Sequence, residues 1–238
     1  MRLRKFDSAD DMGDFIAANI LKALKKKGTF NLCVPTGNSP MGIYRALARA
    51  YGQEPERFNG LKIIKLDEWV GLPKDHPASC EYYIQQQLLG PLEIPTDRYI
   101  GFDPNTENPV LECIRMESRL KKEAPFDLCL LGLGVNGHVG LIEPTDLLNP
   151  YCQVSELTKQ TRAHPMLYGL RKKPRLGMTL GMRQILASKK IILLFSGKGK
   201  RTAYHALLNC RVSTQVPVSF LWLHQKVECI HFPQDGQD

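Results

Sequence analysis

A few short apolar runs set the limits on what this chain can fold into. NLCV (31–34), KIIKL (62–66), LCLLGL (128–133) and IILLF (191–195) carry little or no polar alternation. Strands of that kind are buried on both faces, and a parallel sheet covered by helices is the arrangement that does this. The stretches between them read as helices: PMGIYRALARAY, the segment around CEYYIQQQLL (80–89), NPVLECIRMESRLKKE and KRTAYHALLN. YIGF is expected as a further short strand, and SFLWL (219–223) and VECIHF (227–232) as the closing strands. No repeat, low-complexity tract or Gly/Ser/Pro linker divides the 238 residues. The expectation is one α/β domain, 1–238, on a mostly parallel sheet.

Composition narrows the partners. The chain is 43% hydrophobic and 24% charged, ordinary for a globular protein and unlike disordered or fibrous chains. No apolar run approaches the ~20 residues that span a bilayer. Asp7, Asp10 and Asp11 stand where a signal peptide would need its apolar stretch. Seven cysteines, odd in number and without C-x-x-C spacing, read as reduced core thiols of a cytoplasmic protein. The unusual number is the net charge of +8, from 32 Lys+Arg against 24 Asp+Glu. It points to an anionic partner: nucleic acid, a membrane surface or a small phosphorylated metabolite. The basic runs Lys25–Lys27 and Arg171–Arg175 lack interleaved aromatics and known nucleic-acid motifs, so nothing beyond weak, salt-sensitive phosphate contact is expected of them.

In a parallel α/β sheet, ligands bind beyond the carboxyl ends of the strands, and four such places stand out. VPTGNSP (34–40) joins a strand to a helix. Its Thr36, Gly37, Asn38 and Ser39 offer backbone amides at a helix start, with Ser39 as the expected cap. That is either a phosphate seat or an ordinary strand-to-helix turn. Asp67 and Glu68 follow the second strand, and alternation lets only one of them face a cleft. Gly132, Gly134 and Gly137 match G-x-G-x-x-G, with Glu156 near the acidic position of a dinucleotide site. Gly140, Pro144 and Pro150 break up the crossover helix that fingerprint needs. The loop instead offers Asn136, His138 and Glu143 to a cleft, a candidate acid–base group. Lastly, SGKGKRT (196–202) puts Lys198, Lys200 and Arg201 at another helix start. No G-x-S-x-G elbow or H-E-x-x-H helix occurs.

In this order, VPTGNSPMGIY, KLDEWVGLPKDHP, GLGVNGHVGLIEP and SGKGK resemble the glucosamine-6-phosphate deaminase/6-phosphogluconolactonase superfamily. The likeness is greatest to the galactosamine-6-phosphate isomerase (deaminating) branch. The lactonases usually lack D-E-[WY]-V-G-L-P. The resemblance implies a three-layer Rossmann-like sandwich and a phosphorylated amino sugar as substrate, with no cofactor or metal and no nucleic-acid or membrane partner. It leaves the oligomeric state open. It also implies roles: Asp67 as the base that moves a proton from C2 to C1, His138 as the residue that opens the sugar ring, and Glu143 as its carboxylate partner. Thr36, Gly37, Asn38 and Ser39 would form the phosphate loop, with Lys200 as its lysine. Asn136 stands where the glucosamine branch has an Asp and the galactosamine branch has N-G-H, so His138 should be less basic than in the former. The family's second phosphate contact, an arginine, aligns near Leu167, leaving Arg171, Lys172 or Arg175 as substitutes. The allosteric basic pair falls on Gln153 and Ser155, so no allosteric control is expected. Alternatives from the same residues are a glucosamine-6-phosphate deaminase, a 6-phosphogluconolactonase, a non-catalytic sugar-phosphate sensor and a nucleic-acid binder.

Overall fold

A computed structural model describes residues 1–123 and 125–233. Seven strands form one sheet: β1 (Arg2–Lys5), β2 (Phe30–Val34), β3 (Leu61–Lys65), β5 (Tyr99–Ile100), β6 (Leu128–Gly132), β9 (Ile191–Phe195) and β10 (Val227–His231). Their order across the sheet is β1-β10-β9-β6-β2-β3-β5, and every pairing is parallel. β4 (Asp67–Trp69), β7 (Gln153–Glu156) and β8 (Leu176–Thr179) make a small antiparallel sheet in the order β4-β8-β7.

The apolar runs are two-faced for a simple reason. Successive side chains of a strand point to opposite sides, and here both sides are covered. Leu32, Ile63, Leu130, Ile192 and Leu194 belong to the core under α1 (Ala9–Lys27) and α2 (Met41–Gln53). Their neighbours Cys33, Ile64, Leu131, Ile191 and Leu193 belong to the other core, with Met116 and Leu120 of α4 (Pro109–Glu123) and Leu207 of α6 (Arg201–Leu208). Fully burying one such side chain contributes roughly 1.5–3 kcal/mol. Ser8 caps α1 by accepting the Asp11 amide, and Gly28 ends it in the left-handed region at φ 75°.

Two expectations fail locally, and one strand was not foreseen. SFLWL is not a strand but part of a 3₁₀ helix, Pro217–Leu223. Pro217 starts it, and the Trp222 indole donates to the Leu207 carbonyl, turning the run against α6. Ser39 does not cap α2, because Pro40 occupies the N-cap with no side-chain hydrogen bond. β1, with sequence RLRK and little burial, is an edge strand that carries no apolar signal.

From β2 the chain steps to β3 and then β5 on one side, while β6 lies on the other side of β2 and leads on to β9 and β10. The topological switch therefore falls between β2 and β6. There the loops after the two strands diverge and leave a crevice.

Candidate functional site

At that switch the carboxyl ends of β9, β6, β2 and β3 open on one cleft of about 870 Å³, within the usual ~300–1,000 Å³ of small-molecule sites. Four strand-end segments line it: Pro35 to Ser39, Leu66 and Asp67, Gly132 to Val135 with His138, and Ser196, Gly197, Gly199 and Lys200. Residues between 160 and 168 supply another wall.

Asp67 and Glu68 divide as strand alternation requires. Asp67 lines the cleft, is 7% exposed and makes no side-chain hydrogen bond among the described residues. Burial, reinforced by the Glu68 charge and opposed by Lys65, pushes its carboxyl from the ordinary 3.8 up to about 7. Glu68 points inward and is fully buried. Its Oε1 accepts the Trp69 and Cys80 amides, each at 2.9 Å, and its Oε2 accepts the Glu81 amide and Lys65 Nζ, each at 2.7 Å. The buried Lys65 ammonium also donates to Glu81 Oε2 at 2.6 Å and to the Phe102 carbonyl at 3.1 Å. The network ties β3, β4 and α3 (Cys80–Ile84) together directly behind Asp67.

His138 lies in the loop after β6, with its ring flat against Gly134. A methyl group on Gly134 would stand 2.4 Å from the imidazole Cδ2. Gly137 turns the chain at φ 87°. His138 Nδ1 is 3.1 Å from the Thr161 hydroxyl and 3.8 Å from Glu143 Oε2. Behind it, Glu143 Oε2 accepts Asn136 Nδ2 at 2.7 Å and the Thr158 hydroxyl at 3.1 Å. Asn136 Oδ1 accepts the His138 amide at 3.2 Å. Burial, against the opposing pull of Glu143 and with help from Lys200 and His164, brings the imidazole down to about 4, so it is uncharged near neutral pH. Of the three residues the sequence offered to the cleft, only His138 reaches it. Asn136 and Glu143 sit one layer back, because Glu143 is buried among hydrogen-bond donors.

The turn after β2 has its carbonyls held inward. Tyr44 donates to Pro35 O and Tyr83 to Gly37 O, both at 2.5 Å. The amides of Gly37, Asn38 and Ser39 find no protein acceptor among the described residues, while those residues line the cleft ahead of α2. Lys200 lines the facing side, its ammonium pulled below the ordinary value by burial. An anion is what such unpaired donors and a poorly solvated cation stabilise.

Arg171, Lys172 and Arg175 do not line the cleft; all three are exposed to solvent. Leu167 is fully buried in a small core with Trp69 and Leu141, so the aligned position cannot reach a ligand either. Arg201 is exposed outside the cleft, and the Lys198 side chain lies outside the described residues. The crossover helix that a dinucleotide fingerprint needs is missing, as Gly140, Pro144 and Pro150 led one to expect: among the described residues no helix stands between Gly137 and β7, and Glu156 ends β7. Sequence reasoning missed Trp69, Thr158, Thr161 and His164. The last three belong to an irregular stretch with no periodicity to mark it, where His164 before Pro165 was the only visible cue. All seven cysteines are free and only Cys210 is exposed. Among the described residues no group of three His, Cys, Asp or Glu side chains is placed to hold a metal, and no helix is long and apolar enough to cross a membrane.

Known proteins share this fold. Residues 4–230 match the family described as glucosamine-6-phosphate isomerases/6-phosphogluconolactonase. The chain is 35% identical to the Escherichia coli K12 protein named "Putative deaminase AgaI", over 96% of this chain and 90% of that one. It is 32% identical to a glucosamine-6-phosphate deaminase of Clostridium perfringens strain 13, over 95% of each. A solved monomeric glucosamine-6-phosphate deaminase superposes with a TM-score of 0.89 at 30% identity, covering 98% of this chain and 97% of that one. The 6-phosphogluconolactonase of Thermotoga maritima shares the fold, with a TM-score of 0.78 at 19% identity, over 98% and 99% of the two chains. With the match running nearly end to end, the chain belongs to the glucosamine-6-phosphate isomerase/6-phosphogluconolactonase family.

Proposed function

We propose that this protein is an amino-sugar-6-phosphate isomerase/deaminase that converts galactosamine 6-phosphate to tagatose 6-phosphate and ammonia. The observation that carries the reading is convergence: an isolated buried carboxylate, an uncharged imidazole and an anion-seeking turn with a lysine all face one cleft. The phosphate is held by the amides of the 36–39 turn and by Lys200. At the other end of the sugar, neutral His138 takes the anomeric hydroxyl proton and returns it to the ring oxygen, which opens the ring. Thr161 and Glu143 steady the imidazolium that forms in passing.

Asp67, as the carboxylate, then removes the proton from C2 of the aldehyde to give an enolamine. It delivers a proton to C1, leaving an imine at C2. Water adds to that imine, and ammonia leaves with the ketose. Asp67 suits the task because burial raises its basicity to about 7 without fixing it in a hydrogen bond. The galacto choice rests on Asn136 and the N-G-H motif of that branch. The test is ammonia release from galactosamine 6-phosphate and glucosamine 6-phosphate side by side, with a lactonase assay as control. A higher kcat/KM for the galacto sugar supports the full reading. A gluco preference removes the galacto part alone, and lactone hydrolysis without ammonia removes the whole.

A further inference from the structure

His164 sits on the segment that walls the cleft opposite the strand ends, and neither its sequence position nor the resemblance gives it a task. Its geometry is specific. Nδ1 accepts the Met166 amide at 3.3 Å, capping the short 3₁₀ turn Pro165–Leu167. A nitrogen that accepts an amide carries no proton, so the ring proton belongs to Nε2. That Nε2 faces the turn after β2: a methyl group on Gly37 would lie 3.5 Å from it. It has no hydrogen-bond partner among the described residues. The Trp69 ring, 6.1 Å away between centroids, packs on the imidazole. Burial and the nearby Lys200 charge together keep the ring uncharged, at about 4.

We propose that His164 is a phosphate-binding residue, donating its Nε2–H to the substrate's phosphate from the side of the cleft facing Gly37. The proposal rests on the reading above for the identity of the anion, and it supplies the second side-chain contact that Arg171, Lys172 and Arg175 do not make. A neutral donor fits beside Lys200, where a second cation would be repelled in the empty cleft. The 36–39 amides, Lys200 and His164 then approach one anion from three elements.

The two ring nitrogens allow a clean test. His164→Asn keeps an acceptor for the Met166 amide but has nothing at the Nε2 position, while His164→Ala loses both. Inorganic phosphate is the probe, titrated by calorimetry into the wild type and both variants, alongside steady-state kinetics on galactosamine 6-phosphate. A hydrogen bond to a charged group predicts that both variants bind phosphate about tenfold or more weakly, with KM raised to match and kcat within about threefold. If His164→Asn binds phosphate as the wild type does, the side chain serves only to cap the turn and the proposal fails. A wild type that binds phosphate tightly but releases no ammonia would count against the deaminase reading and leave the His164 result standing.

Discussion

Two residues bear most of the chemical argument, and each exposes it to measurement. Asp67 has a folded pKa near 7 against an ordinary 3.8. As the proposed base it works only when ionised, so kcat/KM is expected to rise tenfold per pH unit below about 7 and level off above. A limb near pH 4 would show that the carboxylate is not isolated. The same shift has a stability sign. The neutral form favours folding, and that benefit is fully present below about pH 4 and lost as pH rises through 7. Asp67→Asn should therefore be more stable than the wild type at pH 8, by roughly 2–4 kcal/mol, and equally stable at pH 3.5. Equal stability at both pH values would contradict burial as the cause. For His138 the sensitive neighbour is Gly134, whose added methyl would collide with the imidazole ring. Gly134→Ala is expected to lower kcat by about tenfold or more with the fold retained, read by ammonia assay and circular dichroism. Full activity would mean that the ring position is unimportant.

Among the elements, the buried Lys65–Glu68–Glu81 group decides how firmly β4 presents Asp67. Lys65 and Glu68 are fully buried, and the lysine reaches both carboxylates within 2.7 Å. Lys65→Met would leave Glu68 and Glu81 without their cation at a cost of about 3–5 kcal/mol, measured by urea unfolding. A loss below about 1 kcal/mol would show that the amides alone satisfy them. Legibility follows the elements closely. β2, β3, β6, β9 and β10 could be read because burial on both faces keeps them mostly apolar, without strict alternation. β1 could not, since an edge strand of sequence RLRK carries charge instead. The small sheet β4-β8-β7 was hidden because its strands are only three or four residues long and take their partners from distant segments. SFLWL misled for the converse reason. A short apolar run fits a buried helical turn as well as a strand, and Pro217 with the Trp222–Leu207 hydrogen bond decided it.

Across the whole molecule, strand order does what no single motif could. Asp67, His138, Lys200 and the 36–39 turn are scattered over more than 160 positions, yet the β9-β6-β2-β3 order brings their loops to one edge. Their residue types were legible because each follows a readable strand. The wall from 160 to 168 was not, since it is the irregular connection between β7 and β8 and its place depends on the small sheet those strands form. Part of the basic complement can be placed at this scale. Lys200 faces the cleft, while Lys27, Lys189 and Lys190 pair with Asp127 or Glu228 away from it. In the proposed function, one cleft both moves a proton from C2 to C1 and releases the amine. Turnover of galactosamine 6-phosphate in D₂O, followed by NMR for wild type and Asp67→Asn, tests it most directly. The expected outcome is a ketose 6-phosphate carrying deuterium at C1, equimolar ammonia, and loss of both by about 10²–10⁴-fold in the variant. Ammonia released at the wild-type rate by Asp67→Asn would contradict it.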